Sequence, residues 1–234
     1  MMTANELIKS VRDIAALKTS YIWGGIGAKI TENHLQDKIK QYPDHNVSHA
    51  ANARRYLGVG YMFDCVGLIK AVLWGWTKAK ADKQEIPYAK NGVPDVSADG
   101  MIAQCREVST DFAKIVPGEV VWMSGHIGVY IGDGKVVECT PVWANGVQIT
   151  ALGSNGYQAR KWTKHGKLPW VSYAAQKPVE SHDGEIKMIV NGKECWVPGH
   201  LTGGTNYLNG SVREIFGAMG ATIGNQGSTP IITI

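Results

Sequence analysis

Phe63-Asp64-Cys65-Val66-Gly67-Leu68-Ile69 is a short turn that leads directly into an apolar segment ending near Trp76. Its pattern predicts a helix that begins at Cys65 and continues to about Ala81. Backbone N–H groups at a helix start have no partner within the helix, and together with the positive end of the helix dipole they stabilise a thiolate. An arbitrary cysteine is more often a small buried apolar residue than a nucleophile, so the choice for Cys65 depends on the rest of the chain.

A second stretch, residues 126–134 (His-Ile-Gly-Val-Tyr-Ile-Gly-Asp-Gly), alternates along its length and ends in a tight turn. The alternation predicts a β-strand over residues 126–131, and Asp133-Gly134 predicts a hairpin turn. A cysteine at a helix start with a histidine on a later strand is the order of nucleophile and base in papain-like enzymes. The two stretches together therefore favour a catalytic role for Cys65.

The composition indicates a folded protein with one large domain, or with one medium and one small domain. The chain has 234 residues, of which 44% are hydrophobic and 19% are charged, so a packed core is expected. The net charge of +4 suits contact with an anionic polymer such as a Gram-positive cell wall, but it is too weak and too evenly spread to indicate nucleic acid. No apolar stretch approaches the length of a membrane span.

The cysteine spacing predicts free thiols, and no metal site or cofactor is expected. The four cysteines are Cys65, Cys105, Cys139 and Cys195. They are far apart and form no CxxC pair, which argues against a disulfide framework and against a zinc site. The histidines between residues 34 and 49 are interpreted as surface residues. The N-terminus lacks the basic start and apolar core of a secretory signal peptide, so we expect synthesis in a reducing cytoplasm.

The order of the predicted elements is that of an α+β protein, with helices first and an antiparallel sheet after them. A capping box formed by Thr3 and Glu6 predicts a first helix that reaches about Lys18. The later segments are predicted as helical in parts over residues 28–56, a loop over 82–100, a helix over 101–115, and strands over 120–123, 126–131, 135–140 and 146–150.

A polar stretch without periodicity, residues 174–185, is interpreted as a linker between two domains. The first domain is assigned to residues 1–173 and the second to residues 186–234. In the second domain, strands are expected on both sides of an Asn191-Gly192 hairpin turn, followed by a helix to about Met219 and two final strands. A unit of this size is marginally stable on its own.

Four motifs follow one another through the first domain: Tyr21-x-Trp23-Gly24-Gly25, Phe63-Asp64-Cys65-x-Gly67-Leu68-Ile69, Pro117-Gly118-Glu119-Val120-Val121 and His126-Ile127-Gly128-Val129-Tyr130-Ile131-Gly132. In this order, and followed by a hairpin, they make the chain resemble the NlpC/P60 cysteine peptidases of bacterial cell walls over most of residues 5–170. The resemblance implies a papain-like α+β fold in which N-terminal helices pack on an antiparallel sheet.

The resemblance assigns Cys65 as the nucleophile and His126 as the general base. The family's third polar residue lies on the strand after the hairpin and is usually a histidine, and the matching position here is Glu138. A carboxylate can orient His126 and stabilise its imidazolium form. Alternation allows residues 126 and 138 to point to one face of the sheet. The alternative interpretation is that Glu138 is a solvated strand residue.

Three further residues are assigned to substrate binding by the resemblance. Tyr21 is expected near the nucleophile, where its hydroxyl would support the substrate or the oxyanion, and Trp23 belongs to the same motif. Asp64 is interpreted either as a contact for a substrate amine or as the N-cap of the helix. The backbone N–H of Cys65 is expected to contribute to the oxyanion site.

The implied activity is that of a peptidoglycan hydrolase that cuts an amide bond of the stem peptide, between D-glutamate and the diamino acid. An N-acetylmuramoyl-L-alanine amidase on the same scaffold and a non-catalytic cell-wall-binding protein are the alternatives. The missing signal peptide and the short architecture favour a bacteriophage endolysin that is made in the host cytoplasm and acts on the wall.

Two departures from the family and one further resemblance concern the binding of the wall. Val66 stands where the family usually has serine, and the long interval between Gly25 and Cys65 implies an inserted helical segment that shapes the cleft. Residues 186–234 resemble the copper-amine-oxidase N-terminal-like module of bacterial surface proteins. This second resemblance implies attachment to the wall or a homodimer, without copper chemistry.

Overall fold

The computed structural model describes residues 1–153 and 158–173 in full, together with the backbone of five strands between residues 185 and 233. The chain divides into two compact units, Met1–Ala174 and Ala175–Ile234. Among the described residues, no helix is both long enough and apolar enough to cross a membrane.

The helices of the first unit are α1 Ala4–Ala15, α2 Glu32–Gln41, α3 Pro43–Asn46, α4 Ala50–Arg54, α5 Cys65–Leu73, α6 Lys78–Asp82 and α7 Ala98–Gln104. The predicted capping box at the start of α1 is confirmed. Thr3 Oγ1 accepts a hydrogen bond from the Glu6 N–H at 3.2 Å, and Glu6 Oε2 accepts one from the Thr3 N–H at 2.7 Å. The helix ends at Ala15, one turn earlier than predicted.

The strands of the first unit are β1 Met2–Thr3, β2 Thr19–Tyr21, β3 Ile26–Lys29, β4 Tyr61–Phe63, β5 Arg106–Ser109, β6 Val120–Met123, β7 His126–Gly132, β8 Lys135–Thr140, β9 Gly146–Ala151, β10 Lys164–Lys167 and β11 Val171–Ser172. Six of them form one antiparallel sheet in the order β5-β10-β6-β7-β8-β9. A small sheet has the order β2-β4-β3, and β1 pairs with β11. Helices packed on an antiparallel sheet confirm the predicted α+β class.

Helix α5 is the centre of the first unit, because all nine of its residues are buried. Its first turn lies directly against the glycine turn that follows β2. A Cβ atom added at Gly67 would lie 1.9 Å from the carbonyl oxygen of Gly25, so only glycine allows this approach. The same carbonyl accepts a hydrogen bond from the Asp64 N–H at 3.0 Å. The backbone before Cys65 is therefore held against the backbone of the Tyr21–Gly25 motif.

The prediction that the helix beginning at Cys65 continues to about Ala81 is wrong. Helix α5 ends at Leu73, and Gly75 adopts a left-handed conformation with φ +88°. The Gly75 N–H bonds to the Val72 carbonyl and the Trp76 N–H bonds to the Ala71 carbonyl, a Schellman ending that needs this backbone conformation. A new helix, α6, then begins after a Thr77 cap.

The predicted helix over residues 101–115 is also wrong in its bounds. Ser97 accepts a hydrogen bond from the Gly100 N–H at 3.0 Å and so caps α7, which therefore begins inside the predicted loop. After α7 ends at Gln104 the chain turns into β5. This edge strand pairs with β10, a partner almost 60 residues further along the chain that local periodicity does not reveal.

The β7–β8 hairpin has the geometry that Asp133-Gly134 predicted, since both residues have positive φ. The strand register places Gly128 opposite Glu138, and His126 is the first residue of β7. His126 therefore lies at the end of β7, diagonally across from Glu138 on the neighbouring strand β8.

The described strands of the second unit are β12 Glu185–Val190, β13 Lys193–Thr202, β14 Thr205–Leu208, β15 Thr222–Gln226 and β16 Thr229–Thr233. Strands β12, β13 and β14 form one antiparallel sheet, and β15 pairs with β16. The strands predicted on both sides of Asn191-Gly192 are confirmed. The turn itself, the helix predicted to reach Met219, and most of the predicted linker lie outside the described residues.

We expect Gly67→Ala to destabilise the first unit, because the new methyl group meets a backbone oxygen that cannot rotate away. The loss in the free energy of unfolding should be on the order of 1–3 kcal/mol in a urea titration. Gly153→Ala is the matched control, because a Cβ there meets nothing within 4 Å. Equal stability of the two variants would show that the contact between α5 and the glycine turn is loose.

Candidate active site

Cys65 is the first residue of α5, and it is only 5% exposed. Burial raises the pKa of its thiol to about 12, and the neighbouring Asp64 carboxylate acts in the same direction. Backbone N–H groups of Ile127, Val66 and Cys65 itself oppose that rise. The expectation that the helix start stabilises a thiolate is therefore outweighed by burial, and the resting group is a thiol.

His126 is oriented by Glu138. Its Nε2 atom lies 2.6 Å from Oε2 of the glutamate, and the ring stacks on Trp162 with 5.6 Å between ring centres. The other ring nitrogen, Nδ1, has no hydrogen bond within the described part of the chain. The backbone N–H of the next residue, Ile127, is one of the groups that lower the pKa of the Cys65 thiol, so the start of β7 lies close to the sulfur. The structure thus brings the predicted base, its orienter and the predicted nucleophile to one place and leaves one ring nitrogen available for proton transfer.

Glu138 is fully buried, which excludes its interpretation as a solvated strand residue. Its Oε1 atom accepts a hydrogen bond from Thr150 Oγ1 at 2.7 Å, and Oε2 accepts one from Arg160 Nε at 2.6 Å. Burial alone would raise the pKa of this carboxyl, but the hydrogen bonds from His126 and Thr150 and the charges of His126 and Arg160 lower it overall. Glu138 is therefore ionised at neutral pH.

Arg160 is the site residue that the sequence did not reveal. Besides Glu138 it binds Thr140, with 2.5 Å between Nη2 and Oγ1, and its guanidinium lies over the Trp143 ring, 4.7 Å from the ring centre. Its one sequence signal is its place at the start of the aromatic and basic run 160–170. Nothing in that run indicates a carboxylate partner 22 residues earlier.

Asp64 is the N-cap of α5, as one of its two interpretations stated. Oδ1 accepts a hydrogen bond from the Gly67 N–H at 2.6 Å, and Oδ2 accepts one from the Gly24 N–H at 2.7 Å. Burial raises the pKa of Asp64, and these two hydrogen bonds and the Lys70 and Lys38 ammonium groups oppose the rise. Contact with a substrate amine remains a prediction.

Tyr21 and Trp23 occupy different positions beside Cys65. Tyr21 is buried, and burial together with the Cys65 thiol raises the pKa of its hydroxyl. Trp23 is 38% exposed and stacks on His45, with 4.2 Å between ring centres. His49 packs edge-on against Tyr21. Two of the histidines interpreted as surface residues therefore pack against the first motif, and the roles of Tyr21 and Trp23 toward substrate stay predictions.

The inserted segment forms one wall of the cleft beside Cys65, as the sequence predicted. The cleft has a volume of about 490 Å³, and Lys38, Gln41 and Tyr42 line it from the end of α2. Asn46 attaches this segment to the first motif, because Oδ1 accepts from the Trp23 N–H at 2.8 Å and Nδ2 donates to the Trp23 carbonyl at 3.1 Å.

No cluster of three or more histidine, cysteine, aspartate or glutamate side chains among the described residues is arranged to hold a metal ion. The three cysteines whose side chains the structure describes, Cys65, Cys105 and Cys139, are free thiols.

No protein-family model and no curated protein matches this chain. Eight chains of solved structures match. NlpC1 from Trichomonas vaginalis is 14% identical with a TM-score of 0.39, and the match covers 70% of this chain and 44% of NlpC1. This chain therefore corresponds to less than half of NlpC1.

Two of the other matches are mycobacterial. The P60 domain of an antigen from M. avium subspecies paratuberculosis is 13% identical with a TM-score of 0.38, covering 70% of this chain and 93% of that one. The peptidoglycan hydrolase RipB from Mycobacterium tuberculosis is 17% identical with a TM-score of 0.37, covering 70% of this chain and 65% of RipB.

We expect alkylation of Cys65 by iodoacetamide to accelerate about tenfold per pH unit between roughly pH 7 and 9.5, because a thiol whose pKa is about 12 is still mostly protonated in that range. Mass spectrometry of the Cys65 peptide gives the rate. Cys105, whose pKa burial also raises to about 12, supplies the reference slope in the same digest. A rate that levels off below pH 7 would instead indicate a preformed thiolate–imidazolium pair.

We expect Arg160→Met to lower the free energy of unfolding by about 3–5 kcal/mol at pH 7, because it leaves a buried carboxylate short of a donor. The pKa of Glu138 is lowered in the native state, so its contribution is present at neutral pH and is lost as pH falls through that pKa. The deficit of the variant should therefore shrink toward pH 4, as measured by thermal unfolding.

Two controls accompany the Arg160 variant. Arg54→Met breaks the exposed ion pair with Glu32 and should have little effect on the free energy of unfolding. The double variant Arg160→Met, Glu138→Gln should be more stable than Arg160→Met alone, since no buried charge remains unpaired. A deficit independent of pH would mean that Arg160 contributes by packing rather than by its charge.

Proposed function

We propose that this chain hydrolyses an amide bond of the peptidoglycan stem peptide, with Cys65 as the nucleophile, His126 as the general base and Glu138 as its orienter. The observation that carries the proposal is the 2.6 Å contact between His126 Nε2 and Glu138 Oε2, at the start of the strand whose next backbone N–H, that of Ile127, lowers the pKa of the Cys65 thiol. A thiol, an imidazole with one free nitrogen and a buried carboxylate are the parts that thiol-dependent amide hydrolysis requires.

In this mechanism His126 Nδ1 takes the proton of the Cys65 thiol while the sulfur attacks the carbonyl carbon. Because burial raises the pKa of the Cys65 thiol, the thiol is protonated at rest, and it loses its proton to His126 as the sulfur attacks the carbonyl carbon. Glu138 stabilises the imidazolium that forms. The oxyanion accepts hydrogen bonds from backbone N–H groups at the start of α5. The positive end of the helix dipole also stabilises its negative charge.

The imidazolium then gives its proton to the leaving amine, and the acyl group remains on the sulfur. In the second half of the reaction His126 takes a proton from water, the resulting hydroxide attacks the thioester carbon, and the thiolate leaves and regains a proton. The reaction consumes one water and regenerates the resting thiol.

The choice of peptidoglycan is supported by the four motifs of the sequence and by the modest positive charge of the chain, which favours an anionic wall polymer. Within that substrate we propose the bond between D-glutamate and the diamino acid. The same proposal includes a role as a bacteriophage endolysin, and wall attachment or dimer formation for residues 186–234.

The test is mass spectrometry of fragments released from purified sacculi by the full chain. We expect new amino termini on the diamino acid, loss of release by at least a thousandfold in Cys65→Ala, and full release in the matched control Cys105→Ala, whose thiol lies outside the cleft. Release of intact stem peptides with a free L-alanine amine would identify the amidase alternative. Binding to sacculi without any release would favour a non-catalytic wall protein.

A further inference from the structure

The acidic side chains that line the cleft beside Cys65 already have their partners. Both oxygens of Asp64 accept backbone N–H groups. Asp95 accepts from the Lys70 ammonium and, at 2.7 Å, from the Tyr88 hydroxyl. Asp99 Oδ1 accepts from the Trp122 Nε1–H at 2.8 Å and from the Gly125 N–H at 2.9 Å. These carboxylates are therefore held in the wall of the cleft by hydrogen bonds from the protein itself.

The Lys38 ammonium is different, because no carboxylate of the described residues lies within ion-pair distance of it. Within the described part of the chain it donates one hydrogen bond, to Gln41 Oε1 at 3.1 Å, and the Tyr42 ring centre lies 5.9 Å away. Nζ lies 3.4 Å from where a Cβ on Gly24 would be, directly above the turn that binds Asp64. The cleft thus contains a cation beside the Cys65 turn with donor capacity to spare.

The environment of Lys38 favours an anionic partner. Burial lowers the pKa of its ammonium, although Asp64, Asp95 and Asp37 act in the opposite direction. A half-buried cation has lost part of its hydration, and a carboxylate arriving in the cleft would replace that hydration with a charge-assisted hydrogen bond. The neighbouring Lys70 offers no such site, because Asp95 already neutralises it.

We propose that Lys38 determines substrate specificity by binding a carboxylate on the residue that supplies the carbonyl attacked by Cys65. The choice of substrate rests on the proposed function: a D-glutamate linked through its side chain keeps a free α-carboxylate, separated from the reacting carbonyl by the Cα, Cβ and Cγ atoms. We therefore expect the protein to cleave stem peptides that keep this carboxylate in preference to those in which it is amidated.

The first experiment needs no hydrolysis. Iodoacetate and iodoacetamide deliver the same carbon to the Cys65 sulfur and differ in charge, so the ratio of their rates reports an anion site beside the thiol. We expect the ratio to fall roughly fivefold in Lys38→Met, to stay near the wild-type value in Lys38→Arg, and to be unchanged in Lys40→Met, an exposed lysine of the same helix. An equal ratio in wild type and Lys38→Met would overturn the proposal.

The second experiment compares two synthetic stem peptides that differ in the α-carboxylate or α-carboxamide of D-glutamate. We expect the wild type to prefer the carboxylate on the order of tenfold or more in kcat/KM, mainly through KM, and Lys38→Met to cleave both alike. Equal cleavage of both by the wild type would overturn the specificity role. If neither peptide is cleaved while the alkylation ratio still depends on Lys38, the proposed hydrolase function fails and the anion site stands.

Discussion

The Asp64 carboxylate joins the start of α5 to a turn 40 residues earlier in the chain, since one oxygen binds Gly67 and the other binds Gly24. A buried carboxylate is costly unless it is hydrogen-bonded, and here two backbone N–H groups donate hydrogen bonds to it. The approach of Gly67 to the Gly25 carbonyl is possible because Gly67 has no side chain. Cys65 follows Asp64 directly, so the position of its sulfur is set by this contact.

The charges around His126 balance within the site. Glu138 is ionised, and Arg160 binds the same oxygen as the histidine, so a positive charge accompanies the buried carboxylate. The carboxylate can therefore orient the imidazole without being left unpaired in a buried place. In the proposed mechanism the proton moves from Cys65 to His126, and hydrogen-bond donors at the start of α5 are in place for the oxyanion that forms.

Much of this arrangement could be predicted from local sequence. Caps, the Asp133-Gly134 hairpin and strand alternation are local signals, and they located the two strands that bring His126 and Glu138 together. The end of α5 was missed although Gly75 carried the signal, because the apolar run continues past it. Arg160, the place of Lys38 in the cleft and the β5–β10 pair could not be predicted in the same way, since each depends on residues distant in the chain and none has a characteristic spacing.

The attachment made by Asn46 has a consequence for how such a protein can diverge. A single amide side chain links the inserted segment to Trp23 and, through the Lys38 carbonyl, to the end of α2. All three bonds use backbone atoms of the partner residues, so they place few demands on side-chain identity. If the proposed function holds, mutations can therefore accumulate along α2 and alter which substrates are accepted, while Cys65, His126 and Glu138 are inherited unchanged on α5 and the sheet.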